Sequence, residues 1–248
     1  MAKQLIHGIG RLILKDFKEP SKIIAFSDLQ NFSVQSNFSS DDITGGNKLF
    51  PIASFKKEQS LECSATNATF DAGIIPYLDG GDLTTGAVKL TDFVEVAIPE
   101  DGVITLSETP IAVTVPGWEA SEGDATAGTY KFTAGEKTVE FAAADAGKVV
   151  TVVYDYNTSA TATQYGITQK SMNKPFVAIY NFDIYDEDTQ ITHKGSIVVY
   201  KAQCTSGLKL DLAHQTAFAP QFTFQARDAK RQDGKLWDFT IDGISTAA

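Results

Sequence analysis

The chain alternates between short apolar runs and clusters of Gly, Asp, Ser and Pro, a rhythm that predicts strands nearly throughout. Runs at 11–15, 22–26, 32–38, 50–56 and 60–65 are rich in β-branched and aromatic residues. A second series falls at 93–98, 103–106, 111–115, 130–133, 138–141 and 149–156, separated by turns such as Glu100-Asp101-Gly102 and Asp145-Ala146-Gly147. A third follows at 176–185, 196–204, 208–212, 221–227 and 236–241. One run is apolar on both faces. In KVVTVVYDY (148–156), Val150, Val152 and Tyr154 point one way, and Val149, Thr151 and Val153 point the other. That pattern fits a strand buried within one domain. It also fits a strand central to a small sandwich whose outer face meets the rest of the molecule or a neighbouring subunit.

Only NATFDAGIIPYL (67–78) has a helical period, with Phe70, Ile74, Tyr77 and Leu78 on one face. Asn67 is the expected N-cap, Pro76 weakens the last turn, and Gly80-Gly81 ends a helix spanning about 67–79. Between two early strands lies SSDDITGGNKL, whose Ser, Asp, Gly and Asn predict a long mobile loop. The fold class is therefore mainly β: a β-sandwich or partial barrel with one flanking helix and an additional β module.

Charge sharpens the division into modules. The 248 residues carry a net charge of −10, with 43% apolar residues, enough for a packed core. Residues 100–165 hold 10 acids and 3 lysines, a balance of −7, and the remainder balances to −3. This shift, with the linker-like TSATATQYG at 158–166, predicts a core built from 1–88 plus 166–248 and an inserted acidic β module, Ig-like or extra strands, at 89–165. A strongly acidic chain is a poor general DNA binder. The N-terminal MAKQLIHGIGRLIL has no secretory h-region, and no stretch approaches the length of a membrane span. The Asn-x-Ser/Thr sites at Asn31, Asn37, Asn67 and Asn157 therefore carry no expectation of glycosylation.

The search for chemistry returns little. Cys63 and Cys204 sit in strand-like runs and read as buried thiols, with a disulfide left open. His7, His193 and His214 lack the spacing of metal ligands. DIYDEDTQ (183–190) clusters Asp183, Asp186, Glu187 and Asp188. From Asp186 the sixth and twelfth positions hold Ile191 and Ile197, where a calcium loop needs Gly and Glu. It reads as a hairpin tip. GIGRLI (8–13) lacks the third glycine of a dinucleotide fingerprint. RDAKRQDGK (227–235) reads as a charged hairpin. Its Arg227, Lys230, Arg231 and Lys235 are candidates for pairing with an acidic neighbouring subunit. Neither an enzyme, a cofactor site nor a metal site is expected.

Three stretches resemble the major tail protein, the tail tube subunit of long non-contractile-tailed bacteriophages. They are FSVQSNFSSDDITGGNKLFPIASFKKEQSLECSATNATFDAGI, VEVAIPEDGVITLSETPIAVTV with GKVVTVVYDY, and FAPQFTFQARDAKRQDGKLWDFTID. The resemblance implies hexameric rings stacked into a β-lined tube around a tape-measure protein. The tube is closed by tail-end proteins and forms a passive conduit for genomic DNA, with no membrane involved. It implies assembly in the host bacterial cytoplasm and residence in the virion tail. It also implies that the long early loop contacts the next ring. By position that loop is Ser39, Ser40, Asp41, Asp42, Ile43, Thr44, Gly45, Gly46, Asn47, Lys48 and Leu49. The alternatives are another virion component, such as a head decoration protein, or a non-catalytic binding module using Trp118, Tyr130, Tyr154 and Tyr156 as an aromatic platform.

Overall fold

The computed structural model describes residues 5–46, 50–185, 191–215 and 218–242. Its early strands are β1 (Leu5–Ile6), β2 (Arg11–Asp16), β3 (Ile23–Phe26), β4 (Leu29–Ile43), β5 (Ala53–Asn67) and β6 (Asp82–Thr85). Next come β7 (Lys89–Ala97), β8 (Val103–Thr105), β9 (Pro110–Thr114), β10 (Glu119–Ala120), β11 (Thr129–Phe132), β12 (Thr138–Phe141) and β13 (Val149–Asn157). The chain finishes with β14 (Thr163–Gly166), β15 (Phe176–Tyr185), β16 (Ile191–Cys204), β17 (Gln221–Ala226) and β18 (Trp237–Ile241). It divides into two compact units, Met1–Leu83 with Tyr165–Ala248, and Thr84–Gln164. The protein is mainly β, with several sheets and, among the described residues, one short helix and no closed barrel.

In the first unit nine strands form one sheet in the order β3-β2-β15-β16-β17-β5-β4, with β1 also on β15 and β18 also on β16. Alternation decides its two faces. Leu12 and Leu14, Leu61, Cys63 and Ala65, Phe176 and Ala178, and Phe222 and Phe224 all turn inward. The sheet curls around them. Phe26 of β3 meets Phe222 of β17 at 5.4 Å, so inner faces from separate parts of the sheet share one core. Burying a phenylalanine such as Phe176 or Phe224 contributes about 2–3 kcal/mol by area.

The helix is shorter than the sequence predicts. Asn67 ends β5 instead of capping a helix, and its buried amide donates to the Thr69 carbonyl at 2.8 Å. Asp71 is the cap: its carboxylate accepts from Gly73 N–H ahead of a 3₁₀ turn, Ala72–Ile74. The only α-helical turn among the described residues, α1, is Ile75–Leu78. Pro76 lies at its start, where a missing N–H costs nothing, rather than weakening its end. Ile74, Tyr77 and Leu78 are buried as the pattern predicts, but Phe70 is exposed. Tyr77 ties the turn to β2, donating to Asp16 at 3.1 Å.

Two other expectations change. The loop expected at 39–49 is strand as far as Ile43, because Ser40, Asp41, Asp42 and Ile43 pair with Lys56, Phe55, Ser54 and Ala53. Cross-strand pairing overrides the turn composition, helped by the Lys57–Asp41 ion pair at 3.5 Å and a hydrogen bond from Ser54 to Asp42. The strands expected at 50–56 and 60–65 merge into β5. Residues 208–212 are not a strand. The expected tip at 186–190 lies outside the described residues.

The second unit is a sandwich of a four-stranded sheet, β10-β11-β12-β8, and a three-stranded sheet, β7-β13-β9. Its core joins Tyr130, Val139 and Phe141 of one sheet to Val150, Val152 and Tyr154 of the other. The Tyr130 hydroxyl donates across to the Val113 carbonyl at 3.0 Å. The run 148–156 is thus the central strand β13. Its Val150, Val152 and Tyr154 fill the core, while Val149 is exposed on the outer face. Trp118 packs edge-on against Phe141 at 5.3 Å. The expected aromatic platform is therefore largely core.

Candidate assembly surfaces

Among the described residues, the sheet of the first unit is open at both ends, at β3 and at β4. Ser27 and Asp28 alone carry the chain from one free edge to the other. An open edge is a row of unsatisfied backbone donors and acceptors, ready to pair with another chain.

The hairpin of β4 and β5 outruns the sheet. Strand β17 pairs with β5 only from Glu62 to Thr66, so the outer part of the hairpin is a ribbon bonded only to itself. Phe38, Phe50 and Phe55 on this arm are 70%, 80% and 60% exposed, and Ile43 and Ile52 are also open. A bare two-stranded ribbon is marginal in water, and an apolar one is more so. Of the expected loop, Ser39, Ser40, Asp41, Asp42 and Ile43 lie in β4, and Thr44, Gly45 and Gly46 form the turn; Asn47, Lys48 and Leu49 lie outside the described residues. Sequence reasoning missed Phe38, Phe50 and Phe55 because it assigned them to ordinary strands of the fold. Their signal was the Lys, Glu, Ser and Asp residues around them, which leave no apolar face to bury.

The charged stretch 227–235 is no hairpin. Strands β17 and β18 do not pair; both lie along β16, which binds β17 through Ala202, Gln203 and Cys204 and β18 through Gly195 to Val199. The line of bonding continues from one to the other. Arg227 N–H donates to Lys201 C=O at 2.8 Å, and Tyr200 N–H donates to Leu236 C=O at 3.1 Å. The residues between are therefore looped out of a single strand line with their ends adjacent, an Ω-loop. Two of the four predicted cations are already engaged. Arg231 pairs with Asp233 at 2.7 Å and stacks 3.8 Å from the Tyr200 ring centroid; Lys235 pairs with Asp238 at 3.0 Å. The Arg231 guanidinium holds the Asp233 carboxyl down at about 2. Arg227 and Lys230 have no ion pair among the described residues and are exposed.

The acidity belongs to the second unit. Thr84–Gln164 holds 12 acids against 4 lysines, a balance of −8 that leaves −2 for the other unit. Lys89, Lys131 and Lys148 are ion-paired, and Lys137 donates to the Ser107 carbonyl at 2.6 Å. Asp145, almost fully buried, accepts from Lys148 Nζ at 2.7 Å and from Gly128 N–H at 2.8 Å. These bonds hold its carboxyl below the usual range, Lys148 acting most strongly.

No group of three or more His, Cys, Asp or Glu positioned to hold a metal occurs among the described residues. No helix among them is long and apolar enough to cross a membrane. Cys204 and Cys63 sit on either side of Phe224 in one row of the sheet. Two strand spacings, roughly 9–10 Å, separate them, too far for a disulfide. Burial pushes both thiols up to about 12, which leaves them unreactive.

Open sheet edges, an apolar arm and inert thiols describe a structural protein built to meet other chains. The family comparison agrees: the model of the YomU/Tube protein family matches residues 4–238, so the chain belongs to that family. It is a structural protein of the phage virion, a tail tube subunit that associates with itself into a tube. A comparison with curated proteins finds no match.

Proposed function

We propose that the chain assembles into stacked rings, six copies to a ring, that form the conduit through which the genome leaves the virion. The observation that carries this reading is the arm beyond the sheet, whose exposed Phe38, Phe50 and Phe55 belong to neither hydrophobic core among the described residues. In this reading residues 39–49, together with Phe38, Phe50 and Phe55, contact the next ring, and the free edges β3 and β4 pair around each ring. Head-to-tail pairing of unlike edges closes a ring when the rotation allows it. Arg227 and Lys230 face an acidic neighbour. A tape-measure protein occupies the tube during assembly in the host cytoplasm, tail-end proteins close it, and DNA later passes without specific binding. No catalysis is assigned, and residues 84–164 act as an appended module.

Negative-stain electron microscopy of the concentrated protein tests the reading. Hollow rings or tubes are expected, with sixfold end views. Closed rings of another order overturn the stoichiometry. Monomers alone, at every concentration and with tail-end proteins supplied as initiator, overturn the conduit.

A further inference from the structure

One face of the sheet has a composition that nothing in the fold requires. Where β4, β5, β17 and the end of β16 run side by side, the inward positions are apolar and the outward positions are almost wholly neutral and polar. On β4 the outward residues from 31 to 39 are Asn, Ser or Gln. On β5 those from 58 to 66 are Ser, Thr or Glu; on β17 they are Gln, Thr and Gln. The register aligns them into rows: Ser33 beside Ser64 beside Thr223, and Gln35 beside Glu62 beside Gln225 beside Gln203. The rows are knitted together. Gln225 donates to Glu62 at 2.6 Å, and the Thr205 and Thr223 hydroxyls lie 3.0 Å apart. The only charges in this lattice are Glu58 and Glu62, both negative.

The other half of the same sheet is different. Across β2, β15, β16 and β18 the outward positions include Arg11, Lys15 and Lys194 together with Asp183 and Asp238, with Ile13, Ile179 and Val198 half-buried among them. Such a face carries charges of both signs and a partly buried apolar strip, unlike the neutral lattice. The neutral lattice ends where cations begin, at Lys201 and Arg227 on one side and at Lys56 and Lys57 along the arm.

We propose that this outward face of β4, β5 and β17 lines the channel and is the surface past which the DNA duplex moves. The assignment rests on the conduit reading above and adds which face of the chain meets DNA. A wall without Lys or Arg displaces no counterions from the duplex, so DNA gains no electrostatic affinity for it. Glu58 and Glu62 repel phosphates, while short hydroxyl and amide side chains keep the wall wet and present no apolar patch for bases. Stickiness per subunit would multiply along the tube, so the absence of cations from a whole face has a direct use in a conduit.

The test places a thiol on the face. Assembled tubes of Ser33→Cys are treated with a small maleimide and with a maleimide on a polymer too wide for a DNA-sized channel; Cys63 and Cys204 are buried and give no background. The small reagent should label tubes and dispersed subunits alike, and the bulky one only dispersed subunits. Labelling of tubes by the bulky reagent puts the face outside; labelling by neither puts it in an interface. Either overturns the assignment while leaving the tube intact. Failure of the wild type to form tubes overturns the conduit reading itself. In virions, the combined substitutions Ser33→Lys, Ser64→Lys and Thr223→Lys should leave tails assembled and slow triggered DNA ejection about tenfold at low salt, relieved by added salt. Unchanged ejection from assembled virions overturns the proposal.

Discussion

Phe32 stacks on Tyr180 with ring centroids 3.9 Å apart and planes inclined by 21°. In the sheet order four steps separate their strands, β4 and β15. The contact exists because the sheet folds over its own core, and it fixes the root of the protruding arm. Phe32→Ala should destabilise the first unit by about 2–3 kcal/mol, combining lost burial with a lost aromatic pair. Tyr180→Phe should cost about 1 kcal/mol, since only the bond from Gly10 N–H to the hydroxyl, at 3.1 Å, is lost. Urea unfolding followed by Trp237 fluorescence in a Trp118→Phe background reads this unit alone, because the chain has 2 tryptophans, one per unit.

The arm separates stability from assembly. Phe38→Ser with Phe55→Ser should move the stability of the dispersed chain by less than about 0.5 kcal/mol, because both side chains are already in water. The same variant should form no tubes. Thermal unfolding and electron microscopy together check it; normal tubes would remove the arm from the assembly contact.

Acid should unfold the second unit through Asp145. Its folded carboxyl lies below the ordinary value of 3.8, so its bonds stabilise the fold at neutral pH, and that contribution is lost as the pH falls below 3.8 and through the lowered folded value. Trp118, edge-on to Phe141, reports the transition. Asp145→Asn should lower stability at pH 7 and flatten the acid limb. An unaltered acid limb would assign it to other carboxylates.

The thiols should be silent until the core opens. With both cysteines raised to about 12 by burial, a thiol reagent at pH 8 should titrate none in the native chain and both after denaturation. Mild oxidants should produce no intrachain disulfide, which mass spectrometry of intact protein would detect.

Removal of residues 84–164, with the ends joined by a short glycine linker, should leave the first unit folded at its wild-type stability, since each unit has a core of its own. The shortened chain carries −2 instead of −10, and its assembly should depend less on salt. Light scattering against ionic strength measures this. A first unit that unfolds without the module would make the two cores interdependent.

Strand existence was legible because alternation is a local signal: Leu12 and Leu14, or Phe222 and Phe224, declare their inward face within a few residues. The ends of elements were not. Ser39 to Ile43 look like a loop until Lys56, Phe55, Ser54 and Ala53 are set opposite them, and that partner strand lies beyond a turn. The helix is shorter than its period suggests because Phe70, although at the right spacing, lies half-exposed ahead of Asp71, and Asp71 rather than Asn67 accepts from the first turn. The 227–235 stretch was read as a hairpin because two strands flank it. Only the register of β16 shows both flanks on one line. The free thiols likewise became certain once Phe224 was seen between them. The assembly surface was hardest to read, since Phe38, Phe50 and Phe55 are the residue types that usually signal a core.

The looped-out segment between Arg227 and Leu236 leaves and rejoins the sheet at neighbouring residues of β16. Its length is therefore uncoupled from the register of every strand. Lengthening such a loop costs little, about 0.6 kcal/mol for each doubling. Lys230, already in the left-handed region at φ 53°, marks its tip as a place where the backbone is free of the sheet. The loop can therefore change length and shape to suit whatever it meets while every strand of the sheet stays in place.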